Sequence, residues 1–192
     1  MTKKILLGGI LGGLALFCWG GFSHMVLRLG EVGLRNMPRP VYDSMKTSTT
    51  QPGIYFFPES DMSSGAMKDE FKGGPVGILL YKPTGAGAPI TGQLINEAIL
   101  NIIQGLVAAF LLSLTTMLVR FPQRVGFVFG LGVLSAIATN IEYWIWYSFP
   151  ANFTLASVVD KLIGFIVVGL IVAAFVKPSA TGSMQVVSAK AA

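Results

Sequence analysis

The sequence predicts an all-α integral membrane protein, a four-transmembrane-helix bundle with a small α/β outer unit between helices one and two. Three observations carry that expectation. Of the 192 residues, 53% are hydrophobic and 12% charged, a balance that suits a polytopic membrane chain better than a soluble domain. Four apolar runs, residues 5–27, 94–119, 125–147 and 154–176, are long enough to cross. A hydrocarbon layer of about 30 Å needs roughly 20 residues at 1.5 Å each. Finally, Lys3, Lys4, Arg120, Arg124, Lys177 and Lys190 fall in the amino-terminal stub, one connection and the carboxy-terminal tail, where no acidic residue falls.

Basic residues near short loops stay in the cytoplasm, so both termini belong there. The connection 30–90 balances six basic against six acidic residues and belongs outside the plasma (inner) membrane of a bacterial cell. The organisation expected is a stub and first helix over 1–29, an extracytoplasmic cap over 30–90, helices two to four over 91–176 and a cytoplasmic tail over 177–192. The net charge of +5 is essentially the cytoplasmic set. It lacks the aromatic interleaving that grips bases, so nucleic acid is not an expected partner.

The first run reads as a retained helix. Its apolar stretch exceeds the roughly 7–15 residues of a signal h-region, and it ends in Met25, Val26 and Leu27. Gly8 and Gly12, and Gly9 and Gly13, form two overlapping small-xxx-small pairs that let another helix approach closely. The stripe Gly9, Gly13, Gly20, His24 carries His24 toward the packed face, with Arg28 a turn later at the outer interface. Cys18 is the single cysteine, so the cap holds no disulfide; it reads as a small buried packing residue.

Within the cap, Pro38–Ser48 suggests a short helix entered through its prolines. The runs 53–58 and 76–83 are apolar, aromatic and bounded by Gly or Pro, as strands are. Asp61–Lys72 reads as a weak helix or a loop. Two strands alone are marginal in water, so the cap needs support from the helix ends, the membrane surface or another subunit.

The second span presents Gln93, Glu97, Asn101, Gln104 and Gly105 at intervals of one face. Lipid penalises that stripe, which therefore faces the bundle interior, a water-filled space or a partner. Asn101 and Gln104 read as glue between helices, at about 0.6–2 kcal/mol per hydrogen bond. The tight connection 120–125 makes spans two, three and four a hairpin stack.

The third span places Ser135, Thr139, Glu142 and Trp146 on one face, and Tyr143, Trp144, Trp146 and Tyr147 as an aromatic belt. Glu142 lies a turn below most of that belt. Pro150 ends the helix, and Asn152 or Thr154 can cap the fourth. In the fourth span Asp160 is either the acidic member of a capping box that starts at Ser157 or an inward site. Lys161 snorkels outward or pairs with a carboxylate.

His24, Glu97, Glu142 and Asp160 thus form the candidate ion, proton or metal site, with the two glutamates at its core. Gly8, Gly9, Gly12, Gly13, Asn101 and Gln104 are the candidate helix-packing residues. Catalysis is disfavoured: the chain has no Gly-rich phosphate loop, no His-Glu-x-x-His, no cysteine pair and one histidine. No cofactor is required by the sequence. The reading favoured is an accessory or structural subunit docking onto a larger membrane protein complex, with lipid and other subunits or further copies as partners. Ion, proton or metal handling through the carboxylate and histidine cluster is the alternative.

Overall fold

A computed structural model describes residues 3–48, 51–58, 72–85 and 90–178. It is mostly helical. In chain order come α1 (Lys3–Met25), a 3-10 turn (Leu29–Glu31), α2 (Arg39–Ser48), β1 (Gly53–Phe57), β2 (Gly77–Tyr81), α3 (Thr91–Ser113) and α4 (Phe121–Ala136). A π-helical turn (Ile137–Ile141) joins α4 to α5 (Glu142–Tyr147), and α6 (Ala151–Phe175) comes last. Four stretches are long and apolar enough to cross a membrane: α1, α3, the continuous Phe121–Tyr147 and α6.

The expected runs match these helices with shifted ends. α3 stops at Ser113 instead of continuing to 119. There the backbone tightens, with Leu114 N donating to Leu111 O and Thr115 N to Leu112 O, and the Ser113 and Thr115 hydroxyls bond back to Phe110 O and Leu112 O. α4 starts early because Gln123 Oε1 accepts from Arg120 N at 3.1 Å and Pro122 suits the first turn.

Neither Asn152 nor Thr154 caps α6. The helix begins at Ala151 behind Pro150, with no side-chain cap; Asn152 Oδ1 accepts from Phe153 N at 3.0 Å. Asp160 is therefore well inside the helix, roughly 13 Å from its start at 1.5 Å per residue, and the capping-box reading is excluded. Cys18, expected to be buried, is exposed on α1.

The helices stand in the order α3, α1, α6, α4, with α3 touching α6 and α4 only lightly. This corrects the expected stack of spans two, three and four: α1 is inserted between the second and the fourth. The reason lies in its glycines, which serve two neighbours from one helix. A Cβ on Gly9 would meet Leu106 Cα at 2.7 Å, and one on Gly105 would meet Gly13 N at 2.5 Å, so α1 and α3 touch backbone to backbone. On the other stripe, a Cβ on Gly8 would meet Phe175 Cβ at 2.8 Å and one on Gly12 Val172 Cγ2 at 2.9 Å, on α6.

The best-buried apolar core lies away from the hairpin. Ala108, Ala109 and Leu112 of α3 close against Val128 of α4 and Val168, Val172 and Ala173 of α6. Arg124 is buried beside them, its guanidinium donating to Ala173 O at 2.9 Å and Val119 O at 3.0 Å. A cation there also complements the negative carboxy-terminal end of α6.

At the opposite end, β1 and β2 pair antiparallel from Gly53 with Tyr81 to Phe57 with Gly77, as the sequence suggests. Tyr81 Oη donates to Met45 O of α2 at 3.4 Å. Phe56 packs on Tyr147 with ring centroids 6.1 Å apart, and Tyr143, Phe149 and Phe153 continue the aromatic contact onto α6. The hairpin is thus supported by the helix ends, one of the supports the sequence requires. Residues 61–71 and most of the tail lie outside the described residues.

Candidate functional site

Where α1, α3 and α6 approach the hairpin end, they part around a cleft of about 160 Å³. Each helix supplies polar side chains from a different height. α1 contributes Trp19 and His24, α3 contributes Glu97, Asn101 and Gln104, and α6 contributes Asp160 and Lys161. Leu16 and Phe165 give it apolar walls.

On α3 the polar residues recur at the spacing of one face, and their hydrogen bonds run along that face. Asn101 Nδ2 donates to Glu97 Oε1 at 3.1 Å, and Gln104 Nε2 donates to Asn101 Oδ1 at 3.2 Å. Asn101 is buried while Glu97 is exposed. The chain of amides aligns one oxygen of the Glu97 carboxylate, so Asn101 and Gln104 bond within their helix rather than across to another. Asn101 still belongs to the α1 seam, since a Cβ on Gly13 would lie 2.5 Å from its carbonyl oxygen.

On α6 the Asp160 carbonyl accepts from Trp19 Nε1 at 3.0 Å, which pins the indole against the helix. Its side-chain Oδ1 is shut off from solvent and has no hydrogen-bond partner. That is an energetically expensive state for a carboxylate oxygen. Lys161 is half-buried and enters no ion pair among the described residues.

His24 closes the hairpin end of α1. Its Nδ1 lies 3.0 Å from Gly20 O, to which it donates when protonated, and 3.0 Å from Ser23 Oγ. The imidazole rests on the α-carbon of Gly30, where a Cβ would collide with the ring. Just beyond, Arg28 adopts φ 56° and ψ 31°, a left-handed conformation that turns the chain out of the helix. The hydrogen-bonded ion pair with Glu31 raises the Arg28 pKa and holds the Glu31 carboxyl below its ordinary value.

Three of the four candidate ion-site residues, His24, Glu97 and Asp160, therefore share one cleft. Glu142 does not line it. The π turn at Ile137–Ile141 carries an extra residue and rotates the remainder of the span by about 100° relative to a continuous α-helix. The single face expected from Ser135 through Trp146 is broken there. Among the described residues, no three His, Cys, Asp or Glu side chains come together as a metal-ligand group.

Sequence reasoning did not place Trp19 in the site. Its signal is that it is the one tryptophan away from Trp144 and Trp146, a turn along from Leu16 on the glycine-rich helix. Nor did it assign Arg124 more than an orienting charge. A second, larger cavity of about 360 Å³ lies between the hairpin and the Tyr147–Pro150 turn and is mainly apolar, with Phe57, Leu79 and Phe153 in its walls. No protein-family model, curated protein or solved structure matches this chain.

Proposed function

We propose that the chain is a non-enzymatic integral membrane protein, an accessory or structural subunit that docks onto a larger membrane protein complex. In this reading the four long helices span a bacterial inner membrane, with both termini cytoplasmic and the cap of residues 30–90 outside, in line with the placement of its basic residues.

The observation that supports docking is the state of Glu142. Its side chain is exposed on the third long helix and takes part in no ion pair or side-chain hydrogen bond among the described residues. Glu142 lies five residues from the end of its span, where a carboxylate facing lipid costs less than at the bilayer centre but is still penalised, and a donor on a neighbouring subunit removes that penalty. Trp146, one turn on along the same helix and 76% exposed, belongs to the aromatic belt and is of a type that also anchors interfaces. The adjoining π turn is a distortion often found at functional positions. Ion, proton or metal handling has less support, because Glu142 stands apart from the cleft that holds His24, Glu97 and Asp160.

Mild solubilisation of native membranes followed by native mass spectrometry tests this reading. The wild-type chain is expected with stoichiometric partner subunits, and Glu142→Leu is expected to release them while keeping its helical circular dichroism. Recovery of the wild type as a bare monomer, or only with copies of itself, overturns it.

A further inference from the structure

We propose that the cleft between α1, α3 and α6 binds a small zwitterion with an ammonium at one end and a phosphate at the other, as in an ethanolamine phosphodiester. Charges of both signs are left unmatched in one place. Glu97, Asp160 and Lys161 all line the cleft, yet none forms an ion pair. The ion pairs among the described residues join Arg28 to Glu31 and Asp43 to Arg39 and Lys46, all elsewhere.

A bare cation would answer the carboxylates and leave Lys161 unmatched; a simple anion would do the reverse. A zwitterion answers both. Asp160 Oδ1 is buried without a donor, and a rotation of the carboxylate toward the cleft that Asp160 lines lets it accept from the ammonium, which brings three donors. Glu97, held through Asn101 at 3.1 Å, supplies a second acceptor. Lys161 is the next residue after Asp160, so its side chain leaves the helix about 100° around the axis and serves the phosphate end.

Size and walls agree with this choice. The volume of about 160 Å³ is on the scale of the roughly 150 Å³ cavity that admits a benzene ring, which suits a polyatomic headgroup. Leu16, Trp19 and Phe165 offer apolar surface to the methylenes between the charged ends, and the Trp19 ring is fixed by its bond to Asp160 O. The same chemistry is available from a phospholipid headgroup or from a free molecule in solution. The inference does not depend on docking through Glu142, which lies outside the cleft.

The experiment uses the full chain purified in phospholipid-free detergent. Native mass spectrometry measures retention of phosphatidylethanolamine against phosphatidylglycerol, and calorimetry measures binding of glycerophosphoethanolamine. The wild type is expected to retain phosphatidylethanolamine preferentially or to bind the free zwitterion. Asp160→Asn and Lys161→Gln should each weaken binding by about tenfold, the loss of one charge-assisted hydrogen bond, with Glu142→Gln unchanged. Retention of the lipid alone assigns the headgroup as the source; binding of the free molecule with the same variant pattern assigns the soluble one. Equal retention of both lipids together with no calorimetric signal overturns the proposal in the wild type, whatever the variants do. Binding that survives both substitutions at full strength overturns it as well.

Discussion

Away from the hairpin, α1 meets α3 through Gly9, Gly13 and Gly105 with almost nothing between the two backbones. Nearer the hairpin the same two helices, with α6, line a cleft that holds Glu97, Asp160 and Lys161, and Asn101 stands where the seam ends and the cleft begins. The contrast shows how one seam can be made rigid at one end and open at the other. Small residues remove the side chains that would hold helices apart, so close packing replaces the hydrophobic drive that is missing between helices in lipid. Further along, larger polar groups line the space where the helices no longer touch.

The largest test of that contrast is Gly105→Leu. With no room beside Gly9 and Gly13, the substitution is expected to cost about 3 kcal/mol, read as a lower unfolding midpoint in detergent. A stability equal to wild type would break the comparison at its rigid end. Arg124→Met comes next: losing the bonds to Ala173 O and Val119 O should cost about 2 kcal/mol in the same measurement. Gln104→Leu should cost only about 0.5 kcal/mol, because its side-chain bond runs along its own helix to Asn101. A loss as large as that of Gly105→Leu would mean that the polar end is as tightly built as the glycine end.

The smallest effect belongs to the turn after α1. The Glu31 carboxyl is held below its ordinary value by Arg28, so the stabilisation is present above the ordinary carboxylate range and is lost as pH falls through the lowered value. The protection of the amides of residues 31–34, taken as the exchange rate relative to the intrinsic rate at each pH, should fall on acidification through the lowered Glu31 value, and Glu31→Gln should abolish that pH dependence while leaving the unfolding midpoint at neutral pH where it was.

The long helices are legible in the sequence because length and apolar content are one-dimensional properties, and the hairpin because Gly and Pro punctuate its strands. The Gly8 to Gly13 pairs are legible as packing residues for the same reason. Which helix each pair receives is not, since adjacency in sequence favours hairpin neighbours, whereas α1 carries two small-residue stripes and accepts two partners. The amides of α3 show a clear helical spacing but not their rotamers, so a bond across helices and a bond along one look alike in sequence; residues three and four apart already lie within bonding distance. Glu142 is displaced from its expected face by a single π turn that no residue type announces. Asp160 is separated from a cap only by the start of the helix at Pro150, a boundary that Ser157 obscures.

The placement of α1 also bears on the order of events during synthesis. Of the four long helices α1 is made before the other three although it takes an inner place in the row, and its Gly8 and Gly12 side receives α6, made after the others. Until the segment beyond Ala151 has emerged, that stripe waits bare, and the row of helices has only one of its three seams, that of α1 with α3. A chain halted before α6 therefore carries an unfilled glycine face, since Phe175 and Val172, which cover Gly8 and Gly12 in the finished bundle, have yet to be made.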